Sequence, residues 1–139
     1  MTATRTYFGT DGVRGIVGDT LTAELVRRLG RAFGVHSQSK RVLIGRDTRS
    51  SGERLERVLA AGIQDAGATA QLAGVLPTPA VALLAESEGA VISASHNPPE
   101  HNGVKFFAAG GRKLTDGEEA EIEALLDTSG RGGGDLVKV

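Results

Sequence analysis

Short apolar segments alternate with amphipathic ones along this chain of 139 residues, and this alternation limits the folds open to it. Residues 42–45, 69–76 and 89–93 have the composition of strands, and the segments between them carry apolar residues at helical spacing. Strands that alternate with helices favour an α/β domain with a largely parallel sheet. Residues 103–107 follow the third strand after a short polar turn, which predicts an antiparallel neighbour and therefore a mixed sheet.

Several helix starts are marked by residues that cap a helix. Thr22 is the predicted N-cap of a first helix, since a regular apolar stripe begins three residues later. Ser50 and Glu53 have the spacing of a capping box before the second helix, and Thr115 and Glu118 have the same spacing before the last. The sequence therefore predicts where three helices begin.

Composition excludes several functional classes. The formal net charge is -1, which gives no general attraction for nucleic acid or a membrane surface. There is no cysteine, so a disulfide scaffold and a thiolate metal site are both excluded. The N-terminus does not resemble a signal peptide, and no apolar run is long enough to cross a bilayer. We expect a cytoplasmic protein with neither nucleic acid nor a membrane as its partner.

Ser95 is the candidate nucleophile, because it follows an apolar strand-like run that ends in Ser-His-Asn-Pro. At the carboxyl end of a strand it would lie where open α/β sheets bind ligands. Its hydroxyl can carry a phosphoryl group when a base or an electrostatic clamp activates it. His96 adjoins it, but neighbouring strand residues point to opposite faces, so His96 is not assigned as that base. The alternative is a polar turn whose side chains satisfy backbone groups.

Two basic residues are candidates to contact a phosphate near Ser95. Arg14 lies among glycines, which let the backbone approach an anion while the guanidinium binds two oxygens. Its alternative is an ion pair with Asp11 or Asp19. Lys105 follows the Ser95 turn and reaches back toward it if the two segments are adjacent, where its ammonium would neutralise phosphate charge. Its alternative is an exposed lysine on a strand.

Other signals are weaker or absent. Arg46, Asp47 and Arg49 predict a structural cluster of ion pairs, with a second basic contact to substrate as the alternative. The Gly-x-Ser-x-Gly turn of serine hydrolases does not occur around Ser95, and no Walker loop is present. The three histidines do not have the spacing of zinc ligands.

Four motifs together resemble those of the α-D-phosphohexomutase superfamily. They lie at residues 8–15, 45–52, 92–98 and 102–107, in the order and approximate spacing found in that superfamily. The Gly-Thr-Asp-Gly-Val-Arg-Gly opening and the Ile-Ser-Ala-Ser form are most similar to those of the bacterial phosphoglucosamine mutase family. The resemblance covers residues 5–127.

The resemblance implies a mechanism in which Ser95 is phosphorylated in the active enzyme. Its phosphoryl group would pass to a hexosamine phosphate, giving a sugar bisphosphate that returns the other phosphate, so that phosphate moves between C6 and C1 of glucosamine. Arg14 and Lys105 would flank the phosphoserine, and His96 would have a positioning role. Mg²⁺ would bind the phosphate on Ser95, with its remaining ligands outside this chain. The alternatives are a phosphoglucomutase or phosphomannomutase domain, and a non-catalytic folding or assembly domain.

The resemblance also implies the architecture and the partners. Residues 1–127 would form domain I, a three-layer α/β/α sandwich around a mixed, mainly parallel four-stranded sheet. Residues 128–139 would be a linker and the start of a second domain, and the segment at 79–89 is shorter than usual. The hexosamine phosphate and the other domains of the same protein are the expected partners. We expect negligible turnover without those domains, and self-association through the surface they would cover.

Overall fold

The computed structural model describes most of the chain, namely residues 7–9, 12–84, 86–94, 97–128 and 132–139, without the side chains of 82–84. Its strands are β1 (Val13–Ile16), β2 (Arg41–Arg46), β3 (Thr69–Val75), β4 (Glu88–Ile92), β5 (His101–Phe107) and β6 (Leu136–Lys138). Its helices are α1 (Ala23–His36), α2 (Gly52–Asp65), α3 (Thr78–Leu84) and α4 (Asp116–Ala124), with a 3₁₀ turn at Ala109–Gly111.

The strands form one mixed sheet in the order β1-β5-β4-β2-β3-β6. The pairs β4–β2, β2–β3 and β3–β6 are parallel, and β5 is antiparallel to both of its neighbours. The predicted α/β layers with a mixed, mainly parallel sheet are therefore confirmed. The expected number of four strands is wrong, because the sheet has six. The two additional strands are the short edge strands β1 and β6, which are ordered by pairing with β5 and β3.

One face of the sheet is covered by α1, α2 and α4, which enclose the main core. The backbones of α1 and α2 approach closely, since a Cβ at Gly62 would lie 2.1 Å from the carbonyl oxygen of Arg27. Phe33 on α1 stacks on Phe106 of β5 with ring centroids 4.3 Å apart. Burial of this face, in which Leu29 and Ile63 are fully buried, provides most of the hydrophobic driving force for folding.

The opposite face is covered more sparsely. Here α3 contributes Val81 to a small cluster with Leu43, Val91 and Phe107. An open groove of about 770 Å³ lies beside this cluster, along β2 and β3. Outside this cluster, side chains on this face of the sheet stay within reach of solvent.

The predicted helix caps at Thr22 and Thr115 are present. The Thr22 hydroxyl accepts a hydrogen bond from the Leu25 amide at 3.1 Å, and the Thr115–Glu118 capping box makes both of its bonds. The capping box predicted at Ser50 is wrong, since α2 has Ser51 as its N-cap and that residue makes no side-chain capping bond. None of the helices in the described residues is long and apolar enough to cross a membrane.

Candidate functional site

Four strand ends meet at one edge of the sheet. The carboxyl ends of β2 and β4 are neighbours, and the Asp47 amide donates to the Ile92 carbonyl at 3.0 Å. The antiparallel strand β5 begins at the same edge, where the Ser93 amide donates to the Gly103 carbonyl at 3.0 Å. β1 ends there too, because Ile16 is in register with His101. In α/β sheets this carboxyl edge is the usual place for a ligand site.

Ser95 and His96 lie outside the described residues, and only the backbone on either side of them is described. Ala94, before them, is buried and lies two residues after the end of β4. Asn97, after them, donates its amide to the Ala94 carbonyl at 3.1 Å. One hydrogen bond therefore joins the backbone before Ser95 to the backbone after His96, close to the end of β4.

Arg14 lies on β1, in register with Gly103 of β5. A Cβ at Gly103 would lie 2.8 Å from Cγ of Arg14 and 3.0 Å from the Ser93 carbonyl oxygen. Gly103 thus leaves the space that the Arg14 side chain occupies across β5, next to the end of β4. Arg14 itself is exposed, as a residue that binds an anion from solvent must be.

Lys105 lies on β5 in register with Val91 of β4, two residues further from the sheet edge than Gly103. Its Nζ is 5.5 Å from the centroid of the Phe107 ring, so its side chain is on the sparsely covered face of the sheet. Lys105 is half-buried there. A Cβ at Gly12 would lie 2.9 Å from Cα of Lys105, so the glycine-rich segment before β1 packs directly against this position.

Arg14 and Lys105 share one face of the sheet. Residues in register on antiparallel strands point to the same face, as do residues two apart on one strand. Arg14 therefore points to the same face as Gly103. Lys105, two residues after Gly103 and in register with Val91, also points to that face. The two cationic residues are diagonal neighbours across β1 and β5, a relation in which Cβ atoms are about 7 Å apart. A guanidinium and an ammonium so placed can both contact one phosphate group.

The residues predicted to form an ion-pair cluster divide into two pairs. Arg49 pairs with Asp47 at 3.4 Å, whereas Arg46 pairs with Glu56 of α2 at 3.4 Å. Burial raises the pKa of the Glu56 carboxyl, and the charge of Arg46 opposes that shift. Arg46 therefore helps to hold α2 on the sheet, whereas Arg49 lies at the sheet edge where the four strand ends meet.

Sequence reasoning missed how Arg49 and Asn102 are used. The Arg49 guanidinium donates to the carbonyls of Asn97 and Pro98 at 2.6 and 2.7 Å. Asn102 is fully buried and donates its side-chain amide to Ser51 Oγ at 2.8 Å. The only signal in the sequence was the density of polar residues after β2, which does not show which carbonyls they bind.

The described residues do not contain a group of three or more histidine, aspartate or glutamate side chains placed to hold a metal ion. The side chains present in that part of the chain thus do not make up a magnesium site.

Comparison with known proteins agrees with this fold. Residues 5–131 match the family model for phosphoglucomutase/phosphomannomutase, alpha/beta/alpha domain I. A solved phosphoglucomutase/phosphomannomutase family protein from Burkholderia thailandensis superposes with a TM-score of 0.81 and 30% identity, over 95% of this chain and 32% of that one. The phosphoglucomutase parafusin from Paramecium, at 18% identity and a TM-score of 0.72, shows the same fold.

Curated relatives are more similar in sequence. The phosphoglucosamine mutase of Thermotoga maritima is 53% identical over 124 residues, and that of Xanthomonas euvesicatoria is 54% identical over 133 residues. These alignments cover 87% and 88% of this chain, but only 29% and 30% of the relatives. The chain thus spans less than a third of the proteins it matches. It belongs to the phosphoglucomutase/phosphomannomutase family and has the α/β/α fold of that family's domain I.

Proposed function

We propose that this chain is the phosphoserine-bearing first domain of a phosphoglucosamine mutase, which interconverts glucosamine 6-phosphate and glucosamine 1-phosphate. Its partners would be the hexosamine phosphate and the remaining domains of the same protein. The observation that carries this proposal is the placement of Arg14 and Lys105 on one face of the sheet, beside the strand end that leads to Ser95. A cytoplasmic location belongs to the same proposal.

Phosphoryl transfer would proceed in two halves. In the first, the bond between Ser95 Oγ and phosphorus breaks as a sugar hydroxyl oxygen bonds to phosphorus, and the proton lost by the sugar hydroxyl ends on the released Ser95 oxygen. In the second, the resulting bisphosphate returns its other phosphoryl group to Ser95. Transfer of this kind depends on positioning and on stabilising negative charge. Arg14 would bind two phosphoryl oxygens and Lys105 would neutralise a third, while His96 would help to position the group.

Glucosamine is favoured over other sugars by the degree of similarity. Proteins named phosphoglucosamine mutase are 53% and 54% identical to this chain, whereas the solved Burkholderia family protein is 30% identical. Mg²⁺ on the phosphorylated Ser95, with further ligands from outside this chain, remains part of the proposal.

The test is the intact mass of the chain before and after incubation with glucosamine 1,6-bisphosphate. We expect the gain of one phosphate, located on Ser95 by peptide mapping and abolished by Ser95→Ala. Ser87→Ala, at the opposite end of β4, is the matched control and should still gain the phosphate. Failure of the wild-type chain to gain phosphate on Ser95 under any condition, including in the presence of the remaining domains, would contradict the proposal and favour a non-catalytic folding or assembly domain.

Two further measurements delimit the proposal. Faster phosphorylation by glucose or mannose 1,6-bisphosphate than by the glucosamine compound would favour a phosphoglucomutase or phosphomannomutase domain. Robust isomerisation of glucosamine 6-phosphate by this chain alone would contradict its role as one domain of a larger site. Self-association remains a prediction, which a concentration series in analytical ultracentrifugation tests.

A further inference from the structure

The loop between β2 and α2 contacts the backbone that follows Ser95. Arg49 in this loop donates from Nη2 to the Asn97 carbonyl at 2.6 Å, and from Nη1 to the carbonyls of Pro98 and His101 at 2.7 and 3.3 Å. One guanidinium thus binds three carbonyl oxygens of a single five-residue segment. We call residues 97–101 the returning segment, because it leads the chain from Ser95 and His96 back into β5.

The returning segment is joined to the sheet at the strand ends it connects. The Asn97 amide donates to the Ala94 carbonyl, and the His101 amide donates to the Pro98 carbonyl at 2.9 Å. Its Glu100 carbonyl accepts from the Val17 amide at 3.0 Å. Arg49 is the side chain that binds this segment from the β2 side, where the Asp47 amide also holds the end of β4. The described backbone on either side of residues 95 and 96 is therefore fixed by one polar network.

The Arg49 side chain is itself held in place. Asp47 accepts from the Arg49 backbone amide at 3.1 Å through Oδ1 and pairs with Arg49 Nε at 3.4 Å through Oδ2. The Arg49 side chain is only 15% exposed. A planar guanidinium with a fixed Nε presents its remaining donors in set directions, which an ammonium on a flexible stem cannot do. A lysine at this position would keep the charge but lose the geometry.

We propose that Arg49 is a positioning residue for phosphoryl transfer at Ser95. It would act through the returning segment, fixing Ser95 against Arg14 and Lys105, and would not contact the phosphoryl group itself. This role rests on the proposed function. Because an error of about 1 Å in the placement of reacting groups costs a large factor in rate, loss of Arg49 should slow transfer without weakening binding of the sugar bisphosphate.

The first arm of the test needs no activity. Per-residue amide hydrogen exchange is compared between the wild-type chain, Arg49→Lys and the control Arg54→Lys, in which the replaced arginine is exposed on α2. We expect Arg49→Lys to raise exchange about tenfold at Asn97 and His101, with the fully buried Ile44 of β2 unchanged, since a local opening leaves the global one unaffected. Unchanged exchange at both reporter amides would overturn the proposal.

The second arm separates positioning from a merely structural role. Phosphorylation of Ser95 is followed against the concentration of glucosamine 1,6-bisphosphate. Arg49→Lys should lower the maximal rate about tenfold while the half-saturating concentration stays within about twofold. Arg54→Lys should match the wild type in both. Faster amide exchange at Asn97 and His101 with an unaltered maximal rate of Ser95 phosphorylation would overturn the positioning role.

A milder variant keeps the proposal testable if Arg49→Lys fails to fold. Asp47→Asn keeps Arg49 but removes the carboxylate charge beside its Nε, and should produce a smaller change of the same kind in both arms. An unchanged maximal rate in a folded Asp47→Asn chain with faster exchange at Asn97 would also overturn the proposal. Absence of phosphate on Ser95 in the wild type would instead overturn the proposed function, while the exchange arm would still decide whether Arg49 holds the returning segment.

Discussion

The two faces of the sheet are built in different ways. On the covered face, α1, α2 and α4 bury a continuous apolar core, and α1 and α2 meet at glycines where their backbones nearly touch. On the opposite face, α3 covers only a small cluster, and Arg14 and Lys105 lie near solvent. The first face contains the core that holds the domain together, and the second contains the two candidate phosphate ligands.

Strand β5 shows how one segment serves both faces. Val104 and Phe106 point into the main core, while Lys105 and Phe107 point to the open face. Because side chains alternate along a strand, a charged residue can occupy the middle of a well-buried strand without entering its core. The core residues and the candidate phosphate ligands therefore lie on opposite faces. Substitutions on the covered face should change the free energy of unfolding, and those on the open face should change the proposed phosphorylation of Ser95.

The largest expected effect is on the covered face, with Gly62→Ala. The added Cβ would lie 2.1 Å from the Arg27 carbonyl oxygen and 2.8 Å from the Arg31 amide nitrogen, both backbone atoms. Helices α1 and α2 would have to separate, which we expect to lower the free energy of unfolding by about 3 kcal/mol. Urea denaturation followed by circular dichroism measures this.

Gly117→Ala is the matched control, since Gly117 is an exposed helical glycine of α4. A Cβ there would have only Thr115 Oγ1 within 4 Å, at 3.9 Å. We expect this variant to gain about 0.5 kcal/mol, because alanine restricts the unfolded chain and has a higher helix propensity. Equal stability losses in the two variants would show that the close approach of α1 and α2 is not what makes Gly62 necessary.

The next effect belongs to the open face, with Lys105→Met. Methionine keeps the apolar part of the side chain over Phe107 but removes the ammonium. We expect phosphorylation of Ser95 to slow about 100-fold, the cost typical of losing one group that stabilises transition-state charge. The free energy of unfolding should change by less than about 1 kcal/mol, the size of an exposed cation–π contact.

Lys113→Met is the control for this prediction, because Lys113 is an exposed lysine beyond the end of β5. Its phosphorylation rate should match that of the wild type. If Lys105→Met destabilised the chain as much as Gly62→Ala does, the division of the two faces into a structural and a chemical one would be wrong.

The sequence alone was sufficient for the layers and most of the internal elements. Apolar composition identified β2, β3 and β4, and the short turn after β4 predicted that β5 runs antiparallel to it. These elements carry their signal locally, in apolar composition and spacing. β1 and β6 do not, because β1 is four residues long and includes a glycine, and β6 is three residues long and exposed. Both are strands only because a longer strand is available to pair with.

The site was predictable in part for a similar reason. Residue types and spacing indicated Arg14 and Lys105 as candidate phosphate ligands, and the register places them on one face. The partners of Arg49 and Asn102 were not predictable, because they are backbone carbonyls and a hydroxyl about fifty residues away in sequence. Such contacts depend on tertiary placement, which local composition does not encode. Whether Ser95 carries the phosphate stays a prediction.

The smallest expected effect concerns charge at the rim of the covered face, where α4 begins. Hydrogen bonds from Arg112, and then from the Thr115 backbone amide, lower the pKa of Glu118 to about 2 from its ordinary 4.5. A carboxyl whose pKa is lowered in the folded state stabilises the protein fully above its unfolded pKa, and that stabilisation is lost as pH falls toward the folded value. The contribution should therefore be complete above about pH 4.5 and fade toward pH 2.

Glu118→Gln isolates this contribution, because glutamine can still accept the Thr115 amide bond of the capping box. We expect the variant to be about 0.5 kcal/mol less stable near neutral pH, since a partly exposed ion pair contributes little. Arg112→Gln removes the same pair from its other side, so its deficit should fade over the same pH range. Denaturation at a series of pH values measures both deficits. A deficit that stays constant as the pH is lowered would mean that the charge of Glu118 does not stabilise the start of α4, which would then depend on the capping hydrogen bonds and on apolar burial.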